Sequence, residues 1–174
     1  MTSILTTERL VLREMVPADL DFVAAMLADP EVMRFYPKTY TRAEAQEWLD
    51  RQRTRYLRDG HALWLASSRF TGEPVGQIGV VRQTVKGVDH AEVGYLLARA
   101  FWGQGLATEA ARACRDHALH TLGRSHVISL IRPENLPSCR VAERMGMRVV
   151  DRTPHWGFDH LVYAVSREET ARSA

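Results

Sequence analysis

Phe101-Trp102-Gly103-Gln104-Gly105-Leu106-Ala107-Thr108-Glu109 follows an apolar stretch and opens a long helical pattern. Gly103 and Gly105 let the chain turn tightly and approach a ligand with no Cβ in the way. The first amide groups of a helix lack internal partners and point outward, so a helix start can hold an anion. A pyrophosphate suits this turn; a plain strand-to-helix connection is the other reading. Two phosphate motifs fail. The GxGxxG spacing needs a third small residue where Thr108 stands, and the strand near Val127 has no acidic residue for a ribose. No Lys-Ser/Thr pair follows the glycines, as a P-loop would require.

Outward from this loop, residues 91–98 are largely apolar and predict a central strand. Residues 106–122 predict a helix closed by Gly123. Upstream, Leu10-Val11-Leu12 predicts a short strand, and Leu20, Val23, Ala24 and Leu27 follow helical spacing over 17–29. Thr41 and Glu44 form a capping box that opens a helix closed by Gly60. That helix carries Arg51, Arg53, Arg55 and Arg58, either a solvated face or a lip that attracts acidic groups. Further strands are predicted at 62–67, 75–82, 127–131, 147–150 and 161–165, with a helix at 137–145 ended by Gly146. The aromatic run His155-Trp156-Gly157-Phe158 reads as a loop. This order predicts an α/β fold, a mixed sheet with helices on both faces, in a single domain over residues 1–174.

The 174 residues suffice for one buried core, and 45% hydrophobic with 25% charged residues is the balance of a soluble globular chain. A net charge of +2, from 23 basic and 21 acidic residues, is too even for a nucleic-acid footprint. Cys114 and Cys139 belong to no CxxC or Cys/His cluster, which argues against zinc and a disulfide framework. No stretch reaches the ~20 apolar residues of a membrane span, and residues 1–10 lack the apolar run of a signal peptide. The expectation is a cytoplasmic protein without nucleic-acid or membrane partners, monomeric or homodimeric.

Gly103-Gln104-Gly105-Leu106-Ala107, following Glu92-Val93-Gly94-Tyr95-Leu96-Leu97, resembles the pyrophosphate-binding signature of the GNAT superfamily of acetyltransferases. Three more segments are similar to its ribosomal-protein N-terminal acetyltransferase (RimJ/RimL-like) branch. They are Thr7-Glu8-Arg9-Leu10, then Trp102-Gly103-Gln104-Gly105 with Glu109-Ala110, then Asn135-Leu136-Pro137-Ser138 leading to Glu143-Arg144-Met145-Gly146. The resemblance implies a GNAT fold, with a mostly antiparallel, splayed sheet of about six to seven strands. It implies acetyl-CoA as cosubstrate and no metal. Backbone amides at Gly103, Gly105, Leu106, Ala107 and Thr108 would cradle the pyrophosphate. The strand near Leu96 and Leu97 would pair with the pantetheine, and Asn135 would bind CoA or substrate. Two positions depart from the pattern. Trp102 stands where the superfamily often has Gln or Arg. Ala142 stands where many relatives carry a Tyr that protonates the leaving thiolate.

Direct aminolysis of a thioester needs a neutral amine, a donor for the oxyanion and a way for the thiolate to leave. Glu92, a carboxylate in an apolar strand, is the candidate base, directly or through a water; a structural ion pair is the alternative. Ser138 is the candidate acid; for Asn135 and Ser138 alike, helix N-capping is the alternative. His90, close to Glu92, is a second candidate base. His117 and His120 lack a third ligand for a metal. His155, Trp156, Phe158 and His160 either shape an acceptor slot or pack the sheet edge. The expected function is acetyl transfer to a primary amine, on a protein N-terminus or a small molecule. A non-catalytic acyl-CoA-binding module is the rival, kept open by the missing Tyr.

Overall fold

The computed structural model describes residues 2–172; Met1 and Ser173–Ala174, the ends of the span expected to form one domain, lie outside the described residues. The strands are β1 (Ser3–Thr6), β2 (Leu10–Arg13), β3 (Leu63–Ser68), β4 (Pro74–Val85), β5 (Val88–Leu97), β6 (His126–Ile131), β7 (Arg148–His155) and β8 (Phe158–Ser166). The helices are α1 (Leu20–Ala28), α2 (Arg42–Asp59), α3 (Leu106–Asp116), α4 (Leu136–Arg144) and α5 (Arg167–Arg172). One sheet runs in the order β1-β2-β3-β4-β5-β6-β8-β7. Every neighbouring pair is antiparallel except β5 and β6.

Side-chain alternation along the strands builds two cores. Leu63, Leu65, Val81 and Leu96 face α1 and α2, where they pack with Val23, Leu27, Trp48 and Leu49. Ile78, Val80, Ala91, Val93 and Leu97 face the other way, onto Ala110, Cys114 and Ala142 of α3 and α4. β4 is buried on both faces over residues 75–81, whereas β5 buries Ala91, Val93 and Leu97 on one face and carries the carboxylate of Glu92 on the other.

The expected mixed sheet with helices on both faces is present, but it has eight strands rather than six to seven. The additional strand, β1, is an exposed edge whose SILT sequence lacks apolar alternation, so periodicity does not reveal it. Residues 155–158 form no loop. Trp156 and Gly157, with φ of 50° and 79°, make a two-residue turn that joins β7 directly to β8. Positive φ at both positions matches the strand twist of a tight hairpin, and Gly157 accepts it without strain. The helix expected over 17–29 is a 3-10 turn, Pro17–Asp19, followed by α1. That expected at 106–122 ends in a wider π turn over His117–Thr121. The Thr41–Glu44 capping box and the left-handed Gly60 (φ 76°) bound α2 as expected.

Candidate active site

The sheet comes apart between β5 and β6. Their parallel pairing rests on one register, Glu92 opposite Ile128. The next donor along β6, the Leu130 amide, turns to the Glu92 side chain and donates to Oε1 at 3.2 Å. The Val93 carbonyl accepts the Ser129 hydroxyl at 2.8 Å. Two side chains thus satisfy backbone groups that a continuing ladder would have used, the Leu130 amide and the Val93 carbonyl.

β4 pairs with β5 through alternating residues. The Ala98 amide donates to Val75, and the same phase pairs Leu96 with Gln77 and Glu92 with Val81. The backbone groups of Leu96 are therefore used by β4. Those of Tyr95 and Leu97 turn toward the gap, where the Leu97 carbonyl accepts the Trp102 indole N–H at 2.9 Å. Trp102, where relatives often carry Gln or Arg, ties the loop back onto β5.

Glu92 lies on the α1/α2 face of β5 and keeps part of its surface open. Burial among protein atoms pushes its carboxyl up to about 7, against the opposing pull of the Leu130 amide and of Arg55. No residue forms an ion pair with it among the described residues, although the Arg55 charge acts on it. A carboxyl titrating near neutrality can exchange protons with an amine. Gly94, the next residue on this face, leaves the space between Glu92 and Leu96 open except for the edge of Leu63.

The loop at 101–105 leads into α3 through Gly103 and Gly105, with φ of 75° and 77°. No side chain caps the helix, and its first internal bond runs from the Glu109 amide to the Gly105 carbonyl at 3.1 Å. The amides of Leu106, Ala107 and Thr108 are thus the free donors of the first turn. Arg9, Arg112 and Arg144 line a depression beside them, together with Gly105 and Thr108. Glu109 locks the N-terminal segment to this turn. It accepts from the Thr7 hydroxyl (2.6 Å), the Arg9 amide (2.8 Å) and Arg9 Nε (2.7 Å). The Arg9 guanidinium also donates to the Gln104 carbonyl at 2.9 Å. The spacing of Thr7-Glu8-Arg9-Leu10 and Glu109 along the chain is explained by this clasp.

Across the gap stands the start of α4. Asn135 is its N-cap, and Oδ1 accepts the Ser138 amide at 3.2 Å. Capping therefore belongs to Asn135, and the Ser138 hydroxyl takes no part in it. The Tyr95 hydroxyl reaches over the gap and donates to the Ser138 carbonyl at 2.8 Å. Burial raises the pKa of that phenol, which keeps it a neutral donor. Ala142 is fully buried in the core, with no room for a tyrosine.

Tyr36 escapes a reading by sequence alone. Register carries the β7–β8 hairpin beyond Ile131, the end of β6, which pairs with Leu161. At its tip Trp156 meets Tyr36, from the α1–α2 connection, with ring centroids 5.5 Å apart. Tyr36 lies close enough to Glu92 to feel its charge. His155 packs on Trp156 at 4.3 Å and against His160 at 5.3 Å; burial, then the His160 neighbour, lowers its pKa and keeps it neutral. No periodicity or motif links residues 36 and 156. His90, the second candidate base, has its Nδ1 3.0 Å from His126 Nε2.

Comparison with known proteins agrees with this geometry. The profile described as "Acetyltransferase (GNAT) domain" matches residues 9–148. The uncharacterized protein YkkB of Bacillus subtilis is 36% identical over 160 residues, 91% of this chain and 93% of its own. The uncharacterized N-acetyltransferase YnaD of the same organism is 26% identical over 95% of this chain and 98% of its own. An acetyltransferase structure from Agrobacterium tumefaciens superposes with a TM-score of 0.83 at 30% identity, covering 96% of this chain and 95% of the other. The chain belongs to the GNAT family of acetyl-CoA-dependent N-acetyltransferases, and it is an acyltransferase enzyme.

Proposed function

We propose that the protein moves the acetyl group of acetyl-CoA directly onto a primary amine, with Glu92 as the base. The observation that carries this reading is the position of Glu92: at the fork of the splayed sheet, on its open face, with a carboxyl pushed up to about 7. An ammonium group entering from this face loses a proton to Glu92, directly or through a water. The neutral nitrogen attacks the thioester carbonyl and the C–N bond forms. The carbonyl electrons move to oxygen, then return as the C–S bond breaks; the nitrogen gives up its extra proton and the departing thiolate takes one up.

The donor site is supported by free polar groups on this chain. The amides of Leu106, Ala107 and Thr108, with Gly103 and Gly105 in the preceding turn, suit the pyrophosphate, and Arg9, Arg112 and Arg144 add positive charge. The amides of Tyr95 and Leu97 face the gap and suit the pantetheine and the developing oxyanion. Asn135 holds the α4 start against the same gap. Ser138, whose hydroxyl is free of the cap, is the proton donor for the thiolate. The motifs shared with the ribosomal-protein branch favour a protein N-terminal α-amine, with a small-molecule amine as the other acceptor.

Mass spectrometry of amines and N-terminal peptides incubated with acetyl-CoA tests the reading. Glu92→Gln should lower turnover by ~10²–10⁴ and leave CoA affinity intact. The wild-type rate should climb through about pH 7, and this limb should vanish in the variant. An unchanged pH–rate profile would remove Glu92 from the mechanism.

A further inference from the structure

The arginines of α2 have a use that acetyl transfer itself does not require. Arg51, Arg55 and Arg58 line one depression on this helix, with Thr54 between them. Arg58 is paired with Asp59 at 2.6 Å. Arg51 lies over the Trp48 ring at 5.5 Å. Arg55 is half-buried; among the described residues it meets only Gln52 Oε1, at 3.5 Å, and forms no ion pair. Glu47 and Asp50 line the far end of the depression, and Asp50 is already engaged by Arg53 and Gln46. A half-buried guanidinium flanked by two others is an electrostatically unfavourable arrangement until an anion joins it. Burial and the repulsion of Arg58 and Arg51 lower the Arg55 pKa, against the weaker pull of the Asp59 and Glu92 carboxylates.

Packing ties this charge to the acceptor side of the gap. Gln52, the partner of Arg55, also accepts the Leu63 amide at 3.4 Å. The Leu63 side chain touches the Gly94 position, one step along the same face from Glu92. Arg55 and Glu92 feel each other's charge without forming an ion pair, so the guanidinium lies near the space that opens over the base. We propose that the acceptor is a primary amine carrying a carboxylate near its nitrogen, and that Arg55 binds this carboxylate while Glu92 receives the amine. This rests on the reading of Glu92 as the base. The carboxylate has two sources: a free amino acid, or a polypeptide whose second residue is Asp or Glu. The guanidinium fork suits a carboxylate in either case.

The test compares a free amino acid, its amide and its decarboxylated amine, and a peptide pair differing by Asp against Asn at the second position. Wild-type protein should prefer the carboxylate member of at least one set by about ten- to a hundredfold in kcat/KM, the range of one charge-assisted contact. Preference in the first set marks an amino acid, and preference in the second a peptide. Arg55→Met should abolish it through KM, with kcat and CoA affinity little changed, and Arg55→Lys should restore part of it. Arg53→Met, on the solvent side, should leave it intact. Calorimetric titration of the same ligands into CoA-saturated protein reads the contact without turnover and reveals whether the variant is folded. Equal use of charged and neutral members, or a preference that survives Arg55→Met, overturns this inference alone. Failure to acetylate any member by protein that binds CoA overturns the reading of Glu92 together with it.

Discussion

The Glu92 carboxylate accepts the Leu130 amide at 3.2 Å, where the next rung of the β5–β6 ladder would otherwise form. One side chain thereby ends the ladder and lies at the bottom of the opening it creates. Two jobs meet in one residue. The hydrogen bond favours the charged form and burial favours the neutral form; burial prevails, and the carboxyl titrates near neutrality.

This balance has a stability signature. Folded protein holds the Glu92 proton up to about pH 7, whereas the unfolded chain releases it near its ordinary 4.5. Folding takes up a proton between those values, so this contribution falls as pH rises through the window. Glu92→Gln keeps an acceptor for Leu130 and removes the titration. Relative to wild type, the variant should gain stability from pH 5 to pH 8, up to about 3 kcal/mol. Urea melts of both proteins across this range measure it, and a constant difference would contradict a raised carboxyl.

The start of α3 should respond to CoA. A hundredfold excess over the dissociation constant should stabilise the protein by ~2.7 kcal/mol through mass action. Gly105→Val should abolish that shift. It also forces a β-branched residue to φ near 77°, which should cost about 1–3 kcal/mol without ligand. Thermal melts of both proteins with and without CoA separate the two effects. A variant with the full CoA shift would show that the ligand sits elsewhere.

Asn135 and Ser138 should part company on mutation. Asn135→Ala removes the cap and should lower stability by ~1 kcal/mol. Ser138→Ala leaves the cap in place, so melting should change little while the single-turnover rate falls. A normal rate in Ser138→Ala would mean that the thiolate departs unassisted or with a proton from water. Restoring a tyrosine at position 142 offers no rescue, because Ala142 is enclosed by the core.

How much was legible beforehand varies with the range of the forces involved. The glycine turn, the uncapped start of α3, the Thr41–Glu44 box and the alternation of β5 are local, written in residues a few positions apart. They were sufficient for the α/β order and for Glu92 as an odd carboxylate in an apolar strand. Edge strand β1 was illegible because its pairing depends on β2 rather than on its own periodicity. Tertiary packing alone decided the remainder. It assigned the helix cap to Asn135 and the gap-facing amides to Tyr95 and Leu97. It also brought Tyr36 to Trp156, and set Arg55 near Glu92 without an ion pair among the described residues. Burial and long-range charge set a pKa, and both are sums over neighbours far away in the chain. Sequence order therefore named the titrating residue, and only the fold determined where it titrates.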